Sequence, residues 1–269
     1  MRSMPAIYLP HGGGPWPWLP ADFGTPQGHT ALRTWLEALP SQVPRPRAIL
    51  CVTAHWEAPV ATVSTQAAPG LLFDYGGFPA HTYQLSWPAP GAPDVAARVV
   101  QLLEAAHIPH AVDAERGLDH GTFVPLSVAW PEADVPVVQM SLVKGLDPAH
   151  HLAIGRALRP LRDEGVLIVG SGMSYHDMRG FGGQGRADAA TFDGWLGEAM
   201  ASPAHRADAL TAWSQAPAGR RSHPREEHLL PLMVVAGAAE GDAGSLPFRD
   251  DVLGVRVSAV RFDAQDAPA

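Results

Sequence analysis

Ala48-Ile49-Leu50-Cys51-Val52-Thr53 is six residues without a charge, and it runs directly into Ala54-His55-Trp56-Glu57. An unbroken apolar run this short reads as a strand covered on both faces, the pattern of a largely parallel sheet between helices. The pattern recurs at Ala6-Ile7-Tyr8-Leu9, which enters Pro10-His11-Gly12-Gly13-Gly14-Pro15. It recurs again at Val166-Leu167-Ile168-Val169-Gly170, which enters Ser171-Gly172-Met173-Ser174-Tyr175-His176. Helical periodicity lies between and beyond these runs. Residues 30–39, 94–106 (with Asp94 as N-cap), 148–161, 191–200 and 228–239 read as helices. Residues 60–64 and 135–141 read as strands, and 255–262 alternates as a C-terminal strand. Strands alternating with helices predict a single α/β domain over residues 1–269, built on a central mixed, largely parallel sheet flanked by helices. The Gly-rich stretch 181–186 reads as a mobile loop and 264–269 as a frayed tail.

Composition narrows the function classes. The 269 residues carry 19 Lys plus Arg against 27 Asp plus Glu, a net charge of -8, which disfavours nucleic-acid binding. No apolar run approaches the roughly 20 residues that cross a bilayer. The start, Met1-Arg2-Ser3-Met4-Pro5, lacks a signal-type apolar stretch. The single cysteine, Cys51, excludes an internal disulfide and a Cys-rich zinc site, and a cytoplasmic setting is expected. Either a monomer or a homo-oligomer is compatible with this chain.

Thirteen histidines are the chemical signal. His11, His55 and His176 each follow one of the three apolar strands, and ligands in open α/β sheets collect beyond the carboxyl ends of strands. The expected metal site is therefore at that edge. His228 opens an apolar helix. Neutral imidazole is the commonest metal ligand, and three of them leave coordination positions open. His120 lies in the loop Gly117-Leu118-Asp119-His120-Gly121-Thr122, where Asp119 also reads as a helix cap. No H-E-x-x-H, P-loop or dinucleotide fingerprint is present, and Gly170-Ser171-Gly172 lacks the spacing of a nucleophile elbow, which makes Ser171 a poor nucleophile candidate.

Six stretches in order carry a family resemblance: residues 10–15, 53–57, Asp74-Tyr75-Gly76-Gly77-Phe78-Pro79, 117–126, 170–176 and 223–232. Together they resemble the class III (LigB-type) extradiol ring-cleaving dioxygenases, DOPA-dioxygenase-like branch, over nearly the whole chain. The resemblance implies a non-haem Fe(II) held by His11, His55 and His228, with His176 as acid/base and His120 on the substrate side. Zn(II) is expected to occupy the same site without supporting ring cleavage. LigB-type relatives use a carboxylate as third ligand, for which Glu226 and Glu227 stand as alternatives, but the DOPA-like pattern favours His228. The implied partners are a catechol-type aromatic and O2. Tyr75, Phe78, Trp16 and Trp18 are expected as aromatic walls for the ring. The first loop reads His-Gly-Gly-Gly-Pro followed by Trp16-Pro17-Trp18, whereas the family pattern is closer to His-Gly-Ser-Pro, a departure that bears on substrate identity. The competing functions are a zinc-dependent hydrolase and a non-catalytic metal- or ligand-binding relative.

Overall fold

The computed structural model of the protein describes residues 3–20 and 28–264, so most of the expected tail, 265–269, lies outside the described residues. The chain opens with β1 (Ala6–Pro10), α1 (Thr30–Gln42), β2 (Ala48–Ala58) and β3 (Ala61–Ser64). Next come α2 (Pro93–Ala105), β4 (His110–Asp113), α3 (His120–Ala129) and β5 (Val137–Val143). Then follow α4 (Pro148–Leu158), α5 (Pro160–Asp163), β6 (Val166–Gly172), α6 (Arg186–Ala201), α7 (Pro203–Thr211) and α8 (Gly219–Ser222). The chain closes with α9 (Leu230–Ala238), β7 (Ala243–Val252) and β8 (Val255–Asp263).

Among the described residues eight strands form one sheet in the order β4-β3-β5-β2-β6-β1-β8-β7. The pairs β3–β4, β2–β5, β2–β6 and β1–β6 are parallel, while β3–β5, β1–β8 and β7–β8 are antiparallel. The three apolar runs are thus the central neighbours β2, β6 and β1. Their alternate residues feed two cores. Tyr8, Leu50, Val52 and Ile168 pack on one face beneath α2, α4 and α9. Ile7, Leu9, Ile49, Cys51 and Val169 pack on the other beneath α1 and α3. Burial on both faces is why these strands are continuously apolar.

Several expectations change at element ends. Asp94 is not the N-cap of α2, which is Ala92; it sits in the first turn and pairs with Arg47 at 2.9 Å. The expected helix over 148–161 is broken at Arg159 because Pro160 starts a new turn, α5. The last expected helix begins at Leu230, with His228 just ahead of it. His55 lies inside β2, not beyond it, at a register irregularity between Val52 and Glu57. Strands β4 and β7 carry no continuous apolar run: their burial is patchy because each lies at an edge of the sheet. The stretch 181–186 is tied down, with Gly182 N–H donating to Leu253 O and Gly185 N–H to Gly180 O, both at 2.8 Å. Cys51 is fully buried, and burial pushes its thiol up to about 12, an inert core residue.

Two glycines of β6 set the spacing that matters most. A methyl group on Gly172 would collide with His228 O, and one on Gly170 would lie 2.5 Å from Pro231 O. Only without Cβ atoms can the segment 228–231 lie against the strand. There Tyr8 Oη and Met173 N–H both donate to His228 O, at 2.7 and 3.1 Å.

Three buried histidines outside this region hold structure. His151 accepts from Val143 N–H at 3.0 Å, His29 accepts from Gly13 N–H at 3.0 Å, and His223 faces Ser174 O at 3.0 Å. Burial holds His29 and His151 at about 4 and His223 at about 3, below the ordinary 6.5. The unfolded chain therefore takes up protons first as the pH falls, so this contribution to stability is complete above pH 6.5 and is lost as the pH drops towards 4. The urea midpoint of metal-free protein should fall steadily across that window; a level midpoint would contradict the assignment.

Candidate active site

The sheet register brings the first two histidines together. Leu9 pairs with Ser171, and Thr53 pairs with the same residue from the other side. Two residues on, His11 and His55 project from the same edge on either side of β6. His228 arrives from the segment that the two glycines admit. The ring centroids lie 4.8 Å (His11–His55), 4.9 Å (His55–His228) and 5.2 Å (His11–His228) apart. His55 Nε2 is 3.2 Å from His11 Nε2 and 3.3 Å from His228 Nε2.

Proton placement tells what these contacts are. His11 Nδ1 faces Gly12 O at 2.7 Å and His228 Nδ1 faces a Glu227 carboxylate oxygen at 2.9 Å. Both acceptors need a proton on Nδ1, so in the neutral rings both Nε2 atoms carry lone pairs. His55 Nε2 can donate to only one of them. Its Nδ1 side faces Asp74 at 3.7 Å, and a proton there would leave three lone pairs converging. A shared cation removes the conflict: two nitrogens bound at about 2.1 Å in tetrahedral geometry are roughly 3.4 Å apart. The donor set, three imidazoles backed by oxygen acceptors, suits a borderline first-row ion and has the usual outer layer of such sites. Burial is the leading cause that pushes all three well below 6.5, with neighbouring imidazoles adding to it; His228 falls to about 4. The rings are accordingly neutral and ligand-competent at neutral pH.

Two further imidazoles flank the trio. His176 stacks on His228, with centroids 3.4 Å apart and planes 18° from parallel, and its Nδ1 is 3.5 Å from Glu227. His120 lies 3.9 Å from His55, ring to ring. Asp119 caps α3 by accepting from Thr122 N–H, which fixes His120 as the first residue of the helix. Thr53 Oγ1 and Arg116 Nη2 donate to the same buried carboxylate, at 2.8 and 3.2 Å. Asp74 takes both His120 N–H (2.9 Å) and Nδ1 (2.7 Å). It reaches that point because Leu118 N–H donates to Gly70 O and Leu72 N–H donates to Leu118 O, at 2.8 and 2.7 Å, a parallel bridge that ties down the 70s loop.

The expected alternatives are placed elsewhere. Glu226 pairs with Arg220, and Glu227 lies behind His228 and His176, on the side of the rings away from the Nε2 cluster. Burial opposes its charge, but hydrogen bonds from His176 and His228 outweigh it and hold the carboxyl far below its usual range. Ser171 is fully buried, its hydroxyl donated to Gly121 O. Asp74 and Glu227 as partners of catalytic-type histidines were not read from the sequence, although both sit inside the quoted motifs.

A cavity of about 260 Å³ opens over His11, His55, His120, His176 and His228. Its remaining walls are Met173, Met178, Phe181, Leu253 and the backbone of Gly12–Gly14. None of the four aromatic residues expected as ring walls lines it. Trp16 stacks on His29 (4.8 Å) and donates its indole N–H to His11 O at 2.8 Å. Trp18 packs towards Phe123 at 6.2 Å, and Phe78 presses on Gly14, where a methyl would meet it at 2.7 Å. Tyr75 meets His120 edge-on at 5.8 Å and donates its hydroxyl to Thr82 O. These rings brace the loops from behind because their polar atoms and faces are already engaged.

Residues 6–256 match the family of the catalytic LigB subunit of aromatic ring-opening dioxygenases. The chain belongs to this family. It is 37% identical over 291 residues to the dioxygenase tasH of Hapsidospora irregularis, covering 99% of this chain and 87% of the relative. It is 45% identical over 199 residues to the 4,5-DOPA dioxygenase extradiol of Portulaca grandiflora, covering 72% and 73% of the two chains. The Escherichia coli K12 protein of the same name is 35% identical over 250 residues, 88% and 86% of the two chains. The crystal structure of an uncharacterised Escherichia coli K12 protein superposes with a TM-score of 0.76 at 30% identity, covering 96% of this chain and 99% of the other. This LigB-family protein is an extradiol aromatic ring-opening dioxygenase, and two adjoining groups of its side chains, His11 with His55 and His120, and His228 with His176 and Glu227, have donor atoms close enough to hold a metal ion. Among the described residues no helix is long and apolar enough to cross a membrane.

Glu227→Gln replaces an acceptor of two ring protons by a group that can also donate. Affinity for a divalent ion, measured by competition with a chromogenic chelator, should fall about 10–100-fold, with the fold retained.

Proposed function

We propose that the chain opens the ring of a catechol-type substrate, inserting both atoms of O2 to give a semialdehyde, with Fe(II) held by His11, His55 and His228. The observation that carries this reading is the convergence of three Nε2 atoms, His55 lying 3.2 and 3.3 Å from its two neighbours, on the floor of a cavity with two more imidazoles beside it. When bound there, the ion supplies a template for two vicinal oxygens and electrons for O2, whereas Zn(II) in the same place supplies only the template.

The chain's own residues supply the proton chemistry. His176 stands over His228 with its Nδ1 towards Glu227, so its other nitrogen is free to serve the cavity. It takes a phenolic proton as substrate binds, and the ionised Glu227 stabilises the resulting imidazolium. It returns the proton when the ring opens. His120, its Nδ1 held by Asp74, directs its opposite nitrogen towards the substrate side as a hydrogen-bond partner. Asp74 fixes the tautomer of this ring in the way a carboxylate orients a catalytic histidine.

Anaerobic loading with Fe(II), followed by O2 uptake and appearance of a yellow product from a catechol panel, tests the reaction. Uptake only in the iron form is expected; hydrolysis of an ester by the zinc form without O2 uptake would replace this reading. His176→Ala should keep its metal and most of its substrate affinity but lose about 10²–10⁴ in turnover. Loss of metal in that variant would instead make His176 a ligand.

A further inference from the structure

We infer that the cavity selects catechols with a neutral, apolar ring substituent over those carrying a carboxylate or an amino-acid side chain, with Met178 and Phe181 setting the preference. This rests on the ring-opening reading and names its substrate class. Two chemically distinct sets of side chains line the cavity. One is the five imidazoles, which serve the vicinal oxygens and their protons. The other is Met173, Met178, Phe181 and Leu253, and no Asp, Glu, Lys or Arg among the described residues lines it.

The charged side chains around it are already paired. Arg225 clamps both Glu57 oxygens at 2.6 and 2.7 Å and lies 3.3 Å from Glu227. Asp177, adjacent to Met178, accepts from Arg179 N–H and Nε at 3.1 and 3.2 Å. Asp74 is held by His120 and Glu227 by His228. A substituent bearing a carboxylate or ammonium would therefore shed water without gaining a counter-charge, which binding sites penalise.

Met178 supplies the favourable half of the argument. It is 69% exposed, whereas Met173 deeper in the same wall is 2% exposed. Among the described residues only Val112, on the edge strand β4, is another large apolar side chain so exposed. An exposed methionine at the rim of an apolar wall gains by covering an apolar group, and its unbranched chain adapts to the shape beneath it. Phe181 meets Tyr175 edge-on at 5.8 Å and lies 6.5 Å from His176, so its ring is an apolar wall beside the imidazoles. A catechol with its oxygens on the histidines would extend its substituent along Phe181 and beneath Met178. Amino-acid-bearing catechols, the class in the names of several relatives, are then the disfavoured one.

The test uses the full chain in two forms. In the Zn(II)-loaded form, calorimetry measures equilibrium binding of 4-butylcatechol, DOPA and 3,4-dihydroxyphenylacetate without turnover. In the Fe(II)-loaded form, kcat/KM is measured for the same three. Butylcatechol should lead both charged compounds by about tenfold or more in each measurement. Met178→Lys, at an exposed position that tolerates charge, should shift the ratio about tenfold towards dihydroxyphenylacetate, while Met178→Leu keeps the native ratio. Equal or tighter binding of either charged catechol, or a ratio unmoved by Met178→Lys, would overturn the inference. Preferred binding of butylcatechol with no O2 uptake by the iron form would uphold the pocket preference and remove the ring-opening reading. Binding of no catechol at all would overturn both.

Discussion

Neutral imidazoles cannot hold the Nε2 lone pairs of His11 and His228 at 3.2 and 3.3 Å from His55 Nε2 without at least one unfavourable contact, which a shared cation removes. Holding them there is the constraint that the rest of the molecule serves. Parallel β1, β6 and β2 lie side by side, so two of the rings leave one sheet edge at matching register. Glycines at 170 and 172 let the third come down on that edge, and Tyr8 and Met173 fasten its carbonyl in place. Each ring then has an oxygen on its Nδ1 side, from Gly12, Asp74 or Glu227, which turns the other nitrogen inward.

The electrostatics follow from this arrangement. Burial keeps the three rings uncharged, while two carboxylates stand behind them rather than among them. Glu227 serves His228 and His176 at once, so the group that orients a ligand-type ring also faces the ring proposed to move protons. Asp74 stands in the same relation to His55 and His120. Orientation of the trio and proton handling are thereby coupled through shared carboxylates. The rest of the lining is left to methionine, leucine and phenylalanine and the backbone of Gly12–Gly14, so imidazoles and apolar side chains share a cavity of about 260 Å³.

The aromatic residues illustrate how a correct sense of location can mislead about role. Trp16, Trp18, Tyr75 and Phe78 are all close to the site in the fold, yet each has its ring face or polar atom spent on a neighbour: His29, Phe123, His120 or Gly14. Trp16 in particular holds His11 by its carbonyl. The residues that line the cavity instead are Met173, Met178, Phe181 and Leu253.

The sequence by itself determined the layered α/β class, because a strand segment buried on both faces is apolar, as residues 6–9, 48–52 and 166–170 within β1, β2 and β6 are. It also determined that His11 and His176 stand beyond the ends of β1 and β6, the Asp119 cap, and the six ordered motifs of the LigB family; that His55 lies inside β2 was decided by the fold. Edge strands β4 and β7 escaped that reading because an edge needs no continuous apolar run. Only the tertiary structure decided which oxygen backs which ring, since Asp74 and His120 are 46 residues apart and their contact depends on how two loops cross. It also decided that Glu227 lies behind His228 instead of beside the trio, because adjacent residues leave the backbone in different directions and packing chooses which one faces inward. The walls of the cavity were decided in the same way: which side chains line it depends on contacts between distant segments, which no local pattern in the chain encodes.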